Sequence, residues 1–382
     1  MSDEVVAAPA SSYWESITAD DIRKRIEVIK SREPYSSNPL YPREWEVVDP
    51  IAPGTNTTYL LRLMQFNLLA EGLSCVAGTQ APNPNPKKQP EGGNFTELPK
   101  GPDGVIGSEI LDFATRKFRI VEEILSKGPD ILTVQELDRF GDFFQPVLSK
   151  FGYDGIFSPK ADSPCLQFGF YSDGVAIFWK REKFTLTSSA IAGKIESPTY
   201  DPIDVVYAIV KLHPKMWEGT DVCVATCHLK AKSSNEAKRM AQIRSILELI
   251  RNFDTDNPTK HIILAGDFNT DPCDRVGFVA EVIPWLGAEH KWLKSSYPLD
   301  KASTYVTDDD CKWLWTTWKK RAQSDPSEIK HAIDYIFHDR DSFRTIQILR
   351  PPAEEFIMDH RLPCWRYPSD HISIAADLEV VL

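Results

Sequence analysis

Leu61 to Leu69 is a strand-like apolar stretch, whereas from Phe113 to Lys127 the apolar positions change period, with Ala114, Phe118, Val121 and Leu125 on one helical stripe. Gly128-Pro129 stops that helix, and Ile131 to Val134 reads as the strand it feeds. Further strands are predicted at Gly174 to Trp179, Val205 to Leu212, Val222 to Cys227, Ile262 to Leu264, Ile333 to Phe337 and Ile372 to Leu378. Ser233-Ser234-Asn235-Glu236 has the spacing of a capping box, and Met240, Ile243, Leu247 and Ile250 recur at helical intervals up to Asn252. Many strands with few helices predict an α/β sandwich, two β-sheets packed face to face and covered by helices. No internal repeat is visible.

The organisation around this core is uneven. Residues 1–57 read as an N-terminal extension: a polar start, a short helix from Ala19 to Ser31, and a proline-punctuated linker to Pro53-Gly54. Residues 58–382 then form one main domain, interrupted between 72 and 107 by a stretch rich in proline, glycine and lysine that is expected as a mobile surface insertion.

Composition narrows the function classes. The 382 residues carry a net charge of −11, which disfavours coating a nucleic acid through a broad basic surface but leaves room for one small anionic substrate held by local lysines. No uninterrupted apolar run reaches the roughly 20 residues of a membrane helix, so no membrane partner is expected. The N-terminus carries acids where a targeting segment would be basic, and a cytoplasmic home is the default, with mitochondrial or nuclear pools left open. The seven cysteines are scattered, with no zinc-type pair. Cys223 and Cys227, at even spacing in a strand, read as packing residues.

Candidate chemistry gathers where apolar strands end. Asn67 follows Leu63 to Phe66, Gln135-Glu136 follows Ile131 to Val134, His228 follows Val224 to Cys227, and Gly266-Asp267-Phe268-Asn269 follows Ile262 to Ala265, while Ser369-Asp370-His371 precedes its strand. Each alone is an ordinary strand-end polar group. Five in order point to a site. Magnesium needs oxygen ligands and keeps several waters, so Glu136, helped by Asn67, suffices to hold it beside a phosphate. Asp267 and Asn269 share one side of an extended segment, suiting a carboxylate that aligns water and an amide that touches a phosphoryl oxygen. Asp370 and His371 complete the rim, with Asp334 available to fix the histidine's tautomer.

The ordered set Gln65-Phe66-Asn67, Gln135-Glu136, His228-Leu229-Lys230, Gly266-Asp267-Phe268-Asn269, Asp334-Tyr335 and Ser369-Asp370-His371 resembles the endonuclease/exonuclease/phosphatase superfamily. Flanking stretches, among them Phe157 to Lys160, Ser163-Pro164-Cys165, His228 to Lys232 and Thr316 to Lys319, resemble its deadenylase-related branch. The resemblance implies a four-layered α/β sandwich with two mostly antiparallel sheets. It also implies a monomeric hydrolase using one or two magnesium ions, with manganese as a substitute, for in-line attack of water on a phosphate. Glu136 and Asn67 would serve the metal; Asp267 would orient or deprotonate the water; Asn269 and His228 would stabilise phosphoryl oxygens; His371, backed by Asp334, would support the developing charge, with Asp370 near the metals. One member of the branch removes the 2′-phosphate of NADP(H) to give NAD(H), and by that likeness Lys160, Lys230 and Lys232 are phosphate contacts and Asp173 a site residue. Lys232 stands where that member is expected to carry arginine, and lysine lacks the planar bidentate fork. The alternative substrate is RNA, trimmed from its 3′ end as by a poly(A) deadenylase; the lack of a leucine-rich repeat and of a broad basic face favours the dinucleotide. A catalytically silent binding module is a third reading, and it would be expected to lose a metal or water-orienting residue; none is missing. Trp318 reads as packing rather than as a stacking platform.

Overall fold

The structure, a computed structural model, describes residues 12–50, 59–74, 108–167, 169–195, 203–217, 221–253, 260–272, 281–297, 315–319, 328–357 and 360–381. Its strands are β1 Trp45–Val47, β2 Leu60–Asn67, β3 Ile131–Leu137, β4 Tyr153–Pro159, β5 Gly174–Lys180, β6 Phe184–Ile195, β7 Ile203–Pro214, β8 Val222–His228, β9 His261–Asp267, β10 Leu293–Ser295, β11 Thr317–Lys319, β12 Ile329–His331, β13 Asp334–Asp339, β14 Phe343–Leu349 and β15 Ile374–Val380. One sheet runs β1-β14-β15-β2-β3-β5-β4 and the other β10-β13-β9-β8-β7-β6. Among the described residues each sheet has one parallel pairing, β2 with β3 and β8 with β9, and every other pairing in these two sheets is antiparallel. Each parallel pair needs a crossover, and a helix supplies it. Phe113–Lys127 joins β2 to β3, and Glu236–Asn252 joins β8 to β9.

Three apolar clusters produce the four layers expected from the sequence. Between the sheets, Leu61, Leu63 and Ile131 meet Val222, Val224, Ile263 and Ile336. On the outer face of the first sheet, Met64, Phe66 and Val134 pack under Phe118, Val121 and Ile124 of the first crossover helix. On the outer face of the second, Cys223, Ala225 and Leu264 pack under Ile243, Leu247 and Ile250 of the other. Successive strand residues therefore alternate between two buried faces, which is why these strands read as continuous apolar runs rather than as alternating ones. Each fully buried leucine, isoleucine or valine contributes about 1.5–3 kcal/mol relative to exposure, enough in sum to support a polar cluster at one end of the same sandwich.

Predicted and observed elements differ in two instructive places. The stretch before β2 packs on the body: the helix Ala19–Ser31, closed by a Thr18–Asp21 capping box, buries Ile22, Ile26 and Ile29, and β1 extends the first sheet by pairing with β14. Ser233 does not form the predicted capping box. Instead Ser233–Asn235 is a 3-10 turn, and the Glu236 carboxylate is drawn inward to Arg239, Thr270 and the backbone of residues 281 and 282. The expected insertion lies outside the described residues from position 75 onward, and its first residues are ordered, with Gly72 donating its N–H to Asp138 at 2.9 Å. Gly128 ends its helix at φ 57°, the left-handed conformation that makes glycine the usual stop. Cys223 and Cys227 are buried packing residues, and Trp318 is buried as expected. No helix among the described residues is long and apolar enough to cross a membrane.

Candidate active site

At one end of the sandwich the inward-facing rows change character. Leu61 and Leu63 are continued along β2 by Gln65 and Asn67, and Ile131 along β3 by Thr133 and Gln135. Val222 and Val224 are continued along β8 by Thr226 and His228, and Ile263 and Ala265 along β9 by Asp267. β5 and β13 run antiparallel to these strands, so Asp173 before β5 and Asp334 at the start of β13 reach the same end. The buried amides of Gln65 and Gln135 pair with one another, and Gln135 Nε2 crosses to Thr226 Oγ1 at 3.0 Å, tying one sheet to the other below the site.

Asp267 is the centre. Gly266 lets β9 approach β8, since a Cβ there would lie 2.4 Å from the Cys227 carbonyl oxygen. Asn67 Nδ2 donates to Asp267 Oδ2 at 3.0 Å, the Asn269 N–H donates to Oδ1 at 2.9 Å, and Nε2 of His228 and of His371 stand 3.5 and 4.0 Å from Oδ2. Burial and the neighbouring Asp334 push Asp267 up to about 7, although His371 and the two hydrogen bonds favour its ionised form. His371 Nδ1 lies 2.8 Å from Asp334 Oδ2, and Gln65 Nε2 donates to the other Asp334 oxygen at 3.2 Å. Burial opposes a charged imidazole, but Asp334 and Asp370 outweigh it and raise His371 to about 9. His228 goes the other way: burial, then the positive charges of Lys160 and His371, lower it well below its ordinary value and leave it neutral.

The opposite side of the cavity is acidic and lysine-lined. Strand parity would turn Glu136 away from the cavity, yet a register shift between Gln135 and Leu137, with Glu136 at φ 52°, re-aims it inward. Such a conformation costs a non-glycine residue of order 1–3 kcal/mol and concentrates at functional sites. Burial, and then repulsion from Asp370, raise the Glu136 carboxyl above its ordinary value. Lys319 Nζ donates to Asp370 Oδ2 at 2.5 Å. Lys160 pairs with Asp173, whose other oxygen accepts from Ser163 Oγ; burial disfavours the Lys160 charge, but Asp173 and Glu136 more than offset it. Behind this side the buried Arg116 donates to the carbonyls of Leu68 at 2.8 Å and Pro368 at 3.2 Å, joining the chain after β2 to the chain before β15.

A cavity of about 570 Å³ opens over these groups. Glu136, Lys160, His228, Lys230, Lys232, Asp267, Asn269, Asp370 and His371 line it, the lysines at 230 and 232 exposed at its mouth. Three residues expected in the site lie behind this lining, and each holds one of its members. Asn67, expected beside the metal, is 0% exposed with its amide engaged by Asp267 and the Leu69 N–H. Asp173, expected against substrate, holds Lys160, and Asp334 holds His371. Lys319 and Arg116 were not singled out from the sequence. The Thr317-x-Lys319 alternation in a short strand was the signal for Lys319; a buried arginine inside an amphipathic helix gives none. A second cavity of about 390 Å³, toward the other end of β8, is lined by Cys223, Ile250 and Trp292 together with Arg251, Lys260 and Asp339, away from the strand-end cluster.

The donors fit a divalent cation. Glu136 and Asp370 offer hard oxygens in one low-dielectric mouth where their mutual repulsion calls for positive charge. The ligand atoms of Asp267, Asp334 and His371 also lie within 4.8 Å of one another, but the 2.8 Å bond between His371 and Asp334 already commits two of them.

A family model described as the Endonuclease/Exonuclease/phosphatase family matches residues 64–371. Human nocturnin is 31% identical over 377 residues, 98% of this chain and 76% of its own length. The solved structure of the human nocturnin catalytic domain with bound sulfate anion is 27% identical, matches with a TM-score of 0.62, and is covered over 100% of its length by 92% of this chain. That of ANGEL2, a 2′,3′-cyclic phosphatase, in complex with adenosine-2′,3′-vanadate, is 18% identical with a TM-score of 0.61, over 90% of this chain and 100% of that one; it shares the fold.

Proposed function

The chain belongs to the endonuclease/exonuclease/phosphatase family, and from that premise we propose that it is a magnesium-dependent phosphohydrolase that removes the 2′-phosphate from NADP(H). Enzymes of this family generally depend on a divalent metal. The observation that carries the substrate choice is the cavity itself. Its volume of about 570 Å³ suits a small molecule, cationic lysines at 160, 230 and 232 share its lining, and no phenylalanine, tyrosine or tryptophan among the described residues lines it. Proteins that track a single strand stack its bases on aromatic platforms, so this lining favours a compact phosphorylated ligand over poly(A). The human nocturnin relative and the sulfate-bound nocturnin domain support the same branch.

Each residue then has a role. Glu136, with Asp370 beside it, would hold the cation, which when bound neutralises charge on the phosphoryl oxygens. Asp267, near neutral in its titration and aligned by Asn67 and the Asn269 N–H, accepts the proton of the attacking water as the new P–O bond forms and the P–O2′ bond breaks, and a proton returned from Asp267 or solvent leaves the ribose 2′-oxygen as a hydroxyl. The Nε2–H of protonated His371 donates to a phosphoryl oxygen while Asp334 stabilises the imidazolium. Asn269 and neutral His228 contact the other oxygens. Lys160, fixed by Asp173, and Lys230 and Lys232 at the mouth bind the substrate's remaining phosphates.

The test is direct. With magnesium, the purified chain is expected to release inorganic phosphate from NADP+ and to leave synthetic oligo(A) intact; shortened oligo(A) beside untouched NADP+ would replace this reading with the 3′-exonuclease.

A further inference from the structure

One face of the second crossover helix carries three buried polar side chains at i, i+3 and i+6: Glu236, Arg239 and Gln242. All three reach back to the segment that leaves β8 or to its surroundings. Arg239 is 0% exposed, and its Nη1 donates to the carbonyl oxygens of Lys230 and Lys232, each at 2.7 Å. Gln242 Oε1 accepts the Lys230 N–H at 2.9 Å, while its Nε2 donates to the Asp204 carbonyl on β7. Glu236 completes the face, accepting from Arg239 Nε at 2.7 Å and from Thr270 Oγ1, one residue beyond Asn269, at 3.2 Å.

The side chain bonds therefore fall on the backbone of the two lysines themselves. Lys230 is held at both its N–H and its carbonyl, and Lys232 at its carbonyl in a φ of 76° that non-glycine residues rarely adopt. A lysine arm is flexible and loses substantial rotamer entropy on binding, so fixing where the arm starts is what the fold can contribute to its aim. Through Thr270 the same face is tied to the segment carrying Asn269 and Asp267.

We propose that Glu236, Arg239 and Gln242 are positioning residues that set the distance between the Lys230/Lys232 arm and the Asp267–Asn269 segment, and thereby determine affinity for the anionic portion of the substrate remote from the reacting phosphorus. The proposal rests on the reading of Lys230 and Lys232 as substrate contacts. Arg239 is fully buried and lies outside the cavity lining, whereas Gln242 both borders the cavity and holds the Lys230 N–H. They act through the lysine backbone, and their loss moves the arm without touching Asp267 or His371.

The experiment measures kcat and KM for Arg239→Met, Gln242→Met and the Lys230→Ala/Lys232→Ala double variant, on whichever of NADP+ or oligo(A) the chain turns over. Arg239→Met is expected to raise KM about tenfold with kcat within about twofold, the signature of lost uniform binding. Adding Arg239→Met to the double lysine variant is expected to raise KM no further, because the arginine acts through groups no longer there. If Arg239→Met does not fold, Gln242→Met is measured alone and on the double lysine background; because Gln242 also borders the cavity, a KM effect that vanishes on that background supports the positioning role and one that persists overturns it. A folded variant with unchanged KM, or an effect that adds fully to that of the lysine replacements, would overturn the proposal alone. An unchanged KM in the double lysine variant would overturn the lysine assignment as well.

Discussion

The two crossover units, β2 to β3 and β8 to β9, share a topology and diverge in chemistry. Each places a strand-end pair side by side, Asn67 opposite Gln135 and His228 opposite Asp267, and each has a buried arginine one turn into its helix that holds the segment leaving the first strand, Arg116 through the Leu68 carbonyl and Arg239 through those of Lys230 and Lys232. Yet the first unit presents its acid, Glu136, on a bulge beside Asp370 and Lys160, whereas the second presents Asp267 from regular strand parity beside two histidines. The same scaffold thus yields a hard-oxygen mouth suited to a cation on one side and, on the other, a buried carboxylate flanked by histidines, the side proposed above to accept the proton and face the phosphate. Residue identity and one bulge make that difference; topology does not.

The comparison breaks most visibly at Glu136. Glu136→Ala is expected to lower kcat/KM by more than about 10³-fold with little change in melting temperature, since cation-based charge stabilisation supplies several kcal/mol. A markedly lowered melting temperature with activity retained would make Glu136 structural. Asp267→Asn is expected to cost about 10³-fold, within the range of a lost general base, and to leave the apparent magnesium affinity unchanged, while Glu136→Asp weakens it. Equal magnesium titrations for the two variants would erase the division of labour between the units.

Asp334→Asn comes next, at about 10²-fold in kcat, with a signature in pH. The proposed roles require Asp267 ionised and His371 protonated, so kcat/KM should rise through about pH 7 and fall through about pH 9. Asp334 raises His371, so removing its charge should move the alkaline limb downward and leave the acid limb no higher. A profile unchanged by Asp334→Asn would remove His371 from its assigned role. The smallest effect belongs to Asn67→Ala, about tenfold in kcat with no change in magnesium affinity, because Asn67 aligns Asp267 through one hydrogen bond of about 1.5–3 kcal/mol to a charged partner. A selective loss of magnesium affinity would instead return Asn67 to the metal.

Much of this was legible in sequence because it depends on local periodicity. Both crossover helices and the central strands are apolar on the faces they bury, and Asp267 and His228 follow an inward-facing row by simple alternation. Edge elements such as β1, β6 and β11 were less legible, since a short or half-exposed strand carries little apolar signal and owes its existence to a neighbour's unpaired backbone. The polar side chains that act at one remove were only partly visible. Asn67, Asp173 and Asp334 were recognisable as members of the site, but whether each faced the cavity or stood behind it depends on distances across 13 to 200 positions of chain.

The order of strand-end polar residues, and the apolar rows that lead to them, were settled by the sequence alone, because side-chain alternation in a strand is fixed by backbone geometry. Tertiary structure decided the rest. The bulge that turns Glu136 inward, the carboxylates of Asp334 and Asp370 that raise His371 while burial and nearby cations lower His228, and the arginines that anchor each departing segment arise from contacts between remote parts of the chain, where low dielectric and close packing act on groups whose spacing in sequence carries no trace of their proximity.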